Sequence, residues 1–302
     1  MTNLYNYSAV NKRKTWLLMT GFFIFIIVAA YFISLATDMP EILLIAVILS
    51  VVMSWTSYWY SDKMVLAVAG AKEIQKTDSP ELYRLVENLC IAAGLPVPKI
   101  YIINDPAPNA FATGRNPQHA AIAFTSGILG KLEKVELEGV VAHELSHIGN
   151  RDILIATIAT TLLGVIVLLS DLFWRWSLFG GHSRDDDRKD GRITLVITII
   201  ALVFAILAPL FAQLLQLAIS RKREFAADAD AALLTRYPEG LARALEKISR
   251  DTAMPTRTIN KATAHMYIAS PLKAKEQNAS WFNKLWQTHP PVGERIARLR
   301  GL

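Results

Sequence analysis

The chain has 302 residues, of which 52% are hydrophobic, and a formal charge of +6, with a mean hydropathy of +0.29. That is too apolar for an ordinary soluble domain of this length and points to a membrane protein. The positive charge forms no basic stripe with interleaved aromatics outside the membrane flanks, so lipid headgroups account for it better than nucleic acid does. A single cysteine, Cys90, excludes a disulfide framework.

Thr15 to Thr37 and Ile42 to Ser61 contain no charged residue, and each is long enough to cross a bilayer as a helix. The first run is longer than a signal-peptide core and is followed after only "DMPE" by the second, which favours a retained anchor. Ser79 and Pro80 then open a helix that stops at Gly94, with Cys90 in its apolar pattern and therefore in the core. "PKIYIIND" and "HAAIAFTSGI" read as strands, and the Pro-, Asn- and Gly-rich "PAPNAFATGRNPQ" between them as a connection. Val135 to Asn150 is helical and runs straight toward a third apolar stretch, Ile153 to Ser170. A fourth follows at Ile193 to Ser220, with Pro209 inside it. Beyond it "KREFAADADAALLTR" is helical, Pro238 opens another helix to about Arg250, and a last one follows Pro290 and Pro291.

Lys12, Arg13 and Lys14 precede the first stretch and Arg221, Lys222 and Arg223 follow the fourth, while the link between the first two carries no basic residue. The positive-inside rule then places both termini in the cytoplasm; the 171–192 loop, with five basic residues against five Asp, is expected outside on the four-span topology and not from its charge. Four spans are expected, dividing the chain into a transmembrane hairpin (1–61), a cytoplasmic segment (62–152), a second hairpin (153–220) and a second cytoplasmic segment (221–302). The expected class is an α+β integral membrane protein whose mainly helical cytoplasmic part carries a small sheet.

"VVAHELSHIGNRD" holds the chemistry. His143, Glu144 and His147 form H-E-x-x-H on a helix, where positions four apart share a face and two imidazoles can reach one tetrahedral zinc. Glu144 is placed to take a proton from a water activated there. With average residue usage a chance match in a chain of this size is roughly a one per cent event. Gly139, one turn earlier, leaves room on that face for a substrate or a partner backbone.

A catalytic zinc wants three protein ligands and an open fourth position. If the last two apolar stretches form a hairpin, Glu224 returns to the membrane face where His147 leaves it, which makes it the favoured third ligand. Asp228, four residues on, is placed to accept a hydrogen bond from a ligand histidine. Ala227 and Ala231 keep that face slim.

"AHELSH", "SRKREFAADADAA", "PNAFATG" and "THPPVGERIARL", with two spans before and two within the catalytic region, closely resemble the HtpX-type membrane metalloproteases, relatives of the CAAX prenyl proteases. The resemblance covers nearly the whole chain. It implies a zincin-like endopeptidase of the bacterial inner membrane with one zinc per subunit, its site facing the cytoplasm. It further implies a role in membrane-protein quality control under stress, with membrane and unfolded proteins as substrates. By the same resemblance His143, His147 and Glu224 are ligands, Glu144 is the general base and His289 is an oxyanion donor. Asn109, Ala110, Phe111 and Ala112 become part of a substrate-binding strand edge, where the residues alone suggest a turn.

His119, His182 and His265 receive no role. The rival readings are a prenyl-CAAX endopeptidase, a transporter and a non-catalytic adaptor with a structural zinc. A transporter generally carries ionisable residues within its spans, and these stretches have none. A closed structural site needs a fourth ligand, and no nearby Cys or His supplies one.

Overall fold

The computed structural model describes residues 4–37, 40–162, 221–251 and 290–302. Two long antiparallel helices come first, α1 (Leu4–Thr37) and α2 (Glu41–Ala69), packed side by side. Among the described side chains of the pair, most large apolar ones, among them Ile45, Ile48, Val51 and Val52, remain exposed. Among the described residues, Leu43–Ala69 is the helix long and apolar enough to cross a membrane. At 1.5 Å per residue the 29 residues of α2 extend about 43 Å, against about 30 Å of hydrocarbon. The helix therefore continues past the expected end at Ser61 and stops only at Gly70, which takes up the left-handed conformation at φ 69°.

That end of α2 is where the helix pair meets the rest of the molecule. Val65 and Leu66 of α2 pack with Ile103, Phe111, Ala121 and Ala123 of a four-stranded sheet. The strands are β1 (Lys72–Glu73), β2 (Lys99–Ile103), β3 (Ala110–Gly114) and β4 (Ala120–Thr125), in the order β1-β2-β4-β3. β2 and β4 run parallel, and every residue of β4 is buried, as befits a strand covered on both faces. β3 pairs antiparallel with β4, Ala112 opposite Ile122, and forms an edge of the sheet. The stretch expected to be a connection thus contains a strand. Its Gly and Pro residues mark the strand's ends, and pairing with β4 overrides the turn-like composition of the rest.

Between β1 and β2 lies α3 (Pro80–Ala93), which buries Leu82, Leu85, Val86, Leu89 and Cys90 on one stripe. Burial pushes the Cys90 thiol up to about 11, which suits a core residue and not a nucleophile. After the short α4 (Ser126–Lys131) comes the central helix α5 (Lys134–Gly149). It starts with a reciprocal cap in which the Glu133 and Glu136 side chains each accept from the other's end of the first turn. Unlike a surface helix it is covered nearly all round, by α3, β3, α7 (Arg221–Thr235) and α8 (Pro238–Arg250). Two glycines allow the α5–α8 contact. A Cβ on Gly139 would lie 2.7 Å from the Leu241 nitrogen, and one on Gly240 would lie 2.6 Å from the Val135 oxygen. The space left by Gly139 is therefore filled by a partner backbone.

α5 does not run straight on. It stops at Gly149, Arg151 turns left-handed at φ 58°, and a new helix, α6 (Asp152–Leu162), begins. The third expected span starts with α6. The remainder of that span, the fourth and the 171–192 loop lie outside the described residues. The last helix, α9 (Val292–Arg300), packs on α8 and α7.

Candidate active site

His143 and His147 stand one turn apart on α5, and α7, lying against it, brings Glu224 to the same point. Ala227 and Ala231, both fully buried, let the two helices come this close. The His143 Nε2 and His147 Nε2 atoms are 3.2 Å apart. Glu224 presents one carboxylate oxygen 3.5 Å from His147 Nε2 and the other 3.8 Å from His143 Nε2. Together the three residues form a group able to hold a metal ion.

Each histidine is oriented by a carboxylate on its other nitrogen. Asp228 lies 3.0 Å from His143 Nδ1, and Asp152 lies 3.0 Å from His147 Nδ1. An ionised carboxylate only accepts, so in both rings Nδ1 carries the proton and the Nε2 lone pair points to the shared space. A proton on His147 Nε2 can bridge the 3.2 Å to His143 Nε2, and when both Nε2 atoms are unprotonated a cation between them relieves the repulsion of the two lone pairs. The edge of a tetrahedron with bonds of about 2.1 Å is about 3.4 Å, so the three separations suit a zinc-sized ion. Charge leads to the same conclusion. Four buried carboxylates (Glu144, Asp152, Glu224 and Asp228) surround the histidines, against two buried guanidiniums, Arg223 and Arg295. A divalent cation, or in its absence protons taken up by the buried groups, cancels this excess of negative charge.

Sequence reasoning placed Asp228 behind a ligand histidine but did not find Asp152, Arg295 or Arg223. Arg295, on α9, is fully buried and grips Asp228 through two bonds, from Nε at 2.8 Å and from Nη2 at 2.6 Å. Its Nη1 is 3.7 Å from Glu224, and Nη2 lies 3.4–3.5 Å from both ring nitrogens of His143. Burial works to raise the Asp228 pKa, but the hydrogen bonds from Arg295 and His143 outweigh it and hold the group down at about 2. Burial likewise opposes charge on His147, yet the Asp152 bond and the nearby Glu224, Asp152 and Glu144 lift it to about 9. In the metal-free protein that proton balances part of the negative charge.

Glu144 is buried on the same turn, and desolvation raises its proton affinity, partly offset by the two histidines and by a hydrogen bond from the Ala112 backbone. That bond shows which way the edge strand faces. The Ala112 N–H points away from β4 and toward Glu144, and the Gly114 N–H, two residues on, turns to Thr157 Oγ1 at 3.4 Å. Ala110 shares this register. Asn109 does not, since its backbone N–H and C=O are bonded to Thr125. The Phe111 side chain points into the cluster with Val65 and Leu66 of α2. His119 is exposed and bonds Asn116. His182, His265 and His289 lie outside the described residues.

An H-E-x-x-H helix and a distal glutamate, with a carboxylate behind each histidine and Glu144 facing a strand edge, define a metallopeptidase. The chain belongs to peptidase family M48, whose profile matches residues 76–302. It is 44% identical over 291 residues to a protease HtpX homolog of Dictyoglomus thermophilum, covering 96% of this chain and 92% of that one. A protease HtpX homolog of Streptococcus gordonii is 41% identical over 304 residues, covering 98% and 99%. The crystal structure of S. mikatae Ste24p shares the fold at a TM-score of 0.51 and 18% identity, over 99% of this chain and 67% of that one.

Proposed function

We propose that the chain is a zinc endopeptidase, with one zinc per subunit held by His143, His147 and Glu224, that cuts misfolded or damaged membrane proteins at the cytoplasmic face of a bacterial inner membrane. The observation that carries this reading is the convergence on Glu144: the base lies beside the metal ligands and bonds the outward N–H of the edge strand.

A bound zinc ion supplies Lewis-acid chemistry, polarising a carbonyl and acidifying a water. The chain's own residues do the rest. The outward backbone groups of Ala110 and the outward carbonyl of Ala112, whose N–H is held by Glu144, pair with an extended peptide as an added strand, which sets the scissile bond over the ligands. Glu144, its proton affinity raised by burial, takes the proton of the attacking water and passes it to the leaving amine. Asp228 and Asp152 keep both imidazoles in the tautomer that leaves Nε2 free. His289 is assigned the oxyanion by its resemblance to the family histidine. Supporting this, the helix that starts three residues later delivers Arg295 into the site.

The membrane position is supported by aromatic residues at one end of the α1–α2 pair. Trp16 stacks on Tyr58 with centroids 6.2 Å apart, and Trp55, Trp59 and Tyr60 cluster beside them, next to Lys12, Arg13, Lys14 and Lys63. Aromatic and basic residues together mark a cytoplasmic interface. Arg115, in the loop after β3, lies over the Trp59 ring at 4.5 Å, so the edge strand hangs close to headgroup level. Loops and termini of membrane proteins are the substrates that reach it. The four-span topology and the role in stress rest on the sequence pattern and the family resemblance.

Detergent-purified protein is expected to hold one zinc per chain and to cut casein; chelation stops cleavage and added zinc restores it. Zinc-loaded protein that leaves casein intact but cuts a prenylated peptide would turn the reading to a prenyl-CAAX endopeptidase, and cleavage of neither would sink it. Glu224→Ala is expected to bind less than one zinc per chain in the same preparation, and an unchanged metal content would remove Glu224 from the ligand set.

A further inference from the structure

One side chain of the first bilayer helix reaches the metal site. Asn11, near the cytoplasmic end of α1, is 2% exposed although it is polar and lies among the lipid-flanking basic residues. Its amide nitrogen donates to Asp152 Oδ1 at 2.7 Å and to the Asn150 carbonyl at 3.2 Å, and its amide oxygen accepts from Arg223 Nη1 at 2.9 Å. These partners also fix which end of the amide is which. A carboxylate and a carbonyl only accept and a guanidinium only donates, so the nitrogen faces Asp152 and the oxygen faces Arg223.

The other oxygen of the same carboxylate, Asp152 Oδ2, is the one that orients His147. Asp152 is not placed there by a regular helix, because it follows the left-handed Arg151 at the break between α5 and α6. Asn11 holds both sides of that break, through the Asn150 carbonyl before it and the Asp152 side chain after it. Arg223, one residue before Glu224, also approaches Asp152, at 3.6 Å.

We propose that Asn11 is a positioning residue for the metal ligand His147, acting through Asp152, so that the first bilayer helix completes the site. The proposal rests on the reading of His143, His147 and Glu224 as zinc ligands. Its chemistry requires a carboxamide. An aspartate at position 11 keeps the size and the acceptor for Arg223 but has no N–H for Asp152 and sets a second carboxylate against it. Loss of a group that orients a ligand histidine typically weakens metal binding by about 10- to 100-fold.

The test uses the full chain in detergent: wild type, Asn11→Ala, Asp152→Asn and the double variant. Zinc affinity is read by competition with a chromophoric chelator, and melting temperature is read on metal-stripped protein. Asn11→Ala is expected to loosen zinc by roughly 10- to 100-fold, Asp152→Asn by a comparable factor, and the double variant no further than the worse single one, because both changes act on one contact. A residue that merely pins α1 in place would lower the melting temperature of the stripped protein and leave zinc affinity unchanged; that result overturns the proposal, as does a double variant in which the two losses multiply. If Asn11→Ala does not accumulate, Asn11→Asp is read in its place by the same criteria. Absence of zinc from the wild type would sink the ligand assignment and the proposal together, whereas a wild type and an Asn11→Ala that bind zinc equally tightly overturn the proposal alone.

Discussion

Glu144→Gln is expected to lower casein cleavage by about 10²- to 10⁴-fold, the range for loss of a general base, while one zinc stays bound per chain. The glutamine has the same shape, and its carbonyl oxygen still accepts the Ala112 N–H. It cannot accept the proton of the attacking water at any working pH. On the reading of His143, His147 and Glu224 as ligands, with Asp228 and Asp152 orienting the histidines, the substitution leaves the metal's contacts in place. Metal content and cleavage rate, measured on one preparation, separate the two effects. A zinc-loaded Glu144→Gln protein that cuts casein at the wild-type rate would show that another group takes the proton.

The parts of this site that were legible in the sequence are those with local spacing. His143 and His147 are four apart on one helix, and so are Glu224 and Asp228, and helical periodicity alone puts each pair on a common face. The meeting of Glu224 with the histidines followed from the hairpin argument. Asp152 was not legible because it lies five residues after His147, which an unbroken helix carries round to another side. The left-handed Arg151 redirects it, and nothing in "GNRD" demands that conformation. Arg223 was read as a membrane-flanking charge like its neighbours Arg221 and Lys222, yet it is buried while they are exposed. Asn11 and Arg295 reach Asp152 and Asp228 across 141 and 67 residues of sequence, by contacts that leave no periodic trace. In the fold, the described helices outside the α1–α2 pair were legible from their caps and stripes. β3 was visible only through a resemblance, since its partner strand and not its composition makes it a strand.

Arg295→Met is expected to destabilise the protein by about 3–5 kcal/mol, the range for removing one partner of a buried ion pair, and to loosen the metal as well. The guanidinium is fully buried and supplies both hydrogen bonds that hold Asp228 from the α9 side. Without it the carboxylate keeps only His143 as a close partner in a desolvated pocket. Burial, which already works to raise the Asp228 pKa, then goes largely unopposed. In the wild type that pKa is held at about 2, so Asp228 stays ionised well into acid and the His143 tautomer is fixed there. In Arg295→Met protonation of Asp228 begins at a higher pH, and metal binding is lost correspondingly earlier as pH falls. Arg295→Lys does not restore the site, because a single ammonium cannot reproduce the two-pronged grip. The decisive comparison is a second variant, Asp228→Leu with Arg295→Met. Removing both charges is expected to recover much of the melting temperature, but not the metal affinity, because His143 still lacks its acceptor. A single Arg295→Met protein that melts and binds zinc like the wild type would show that the Asp228–His143 pair holds its geometry without the arginine.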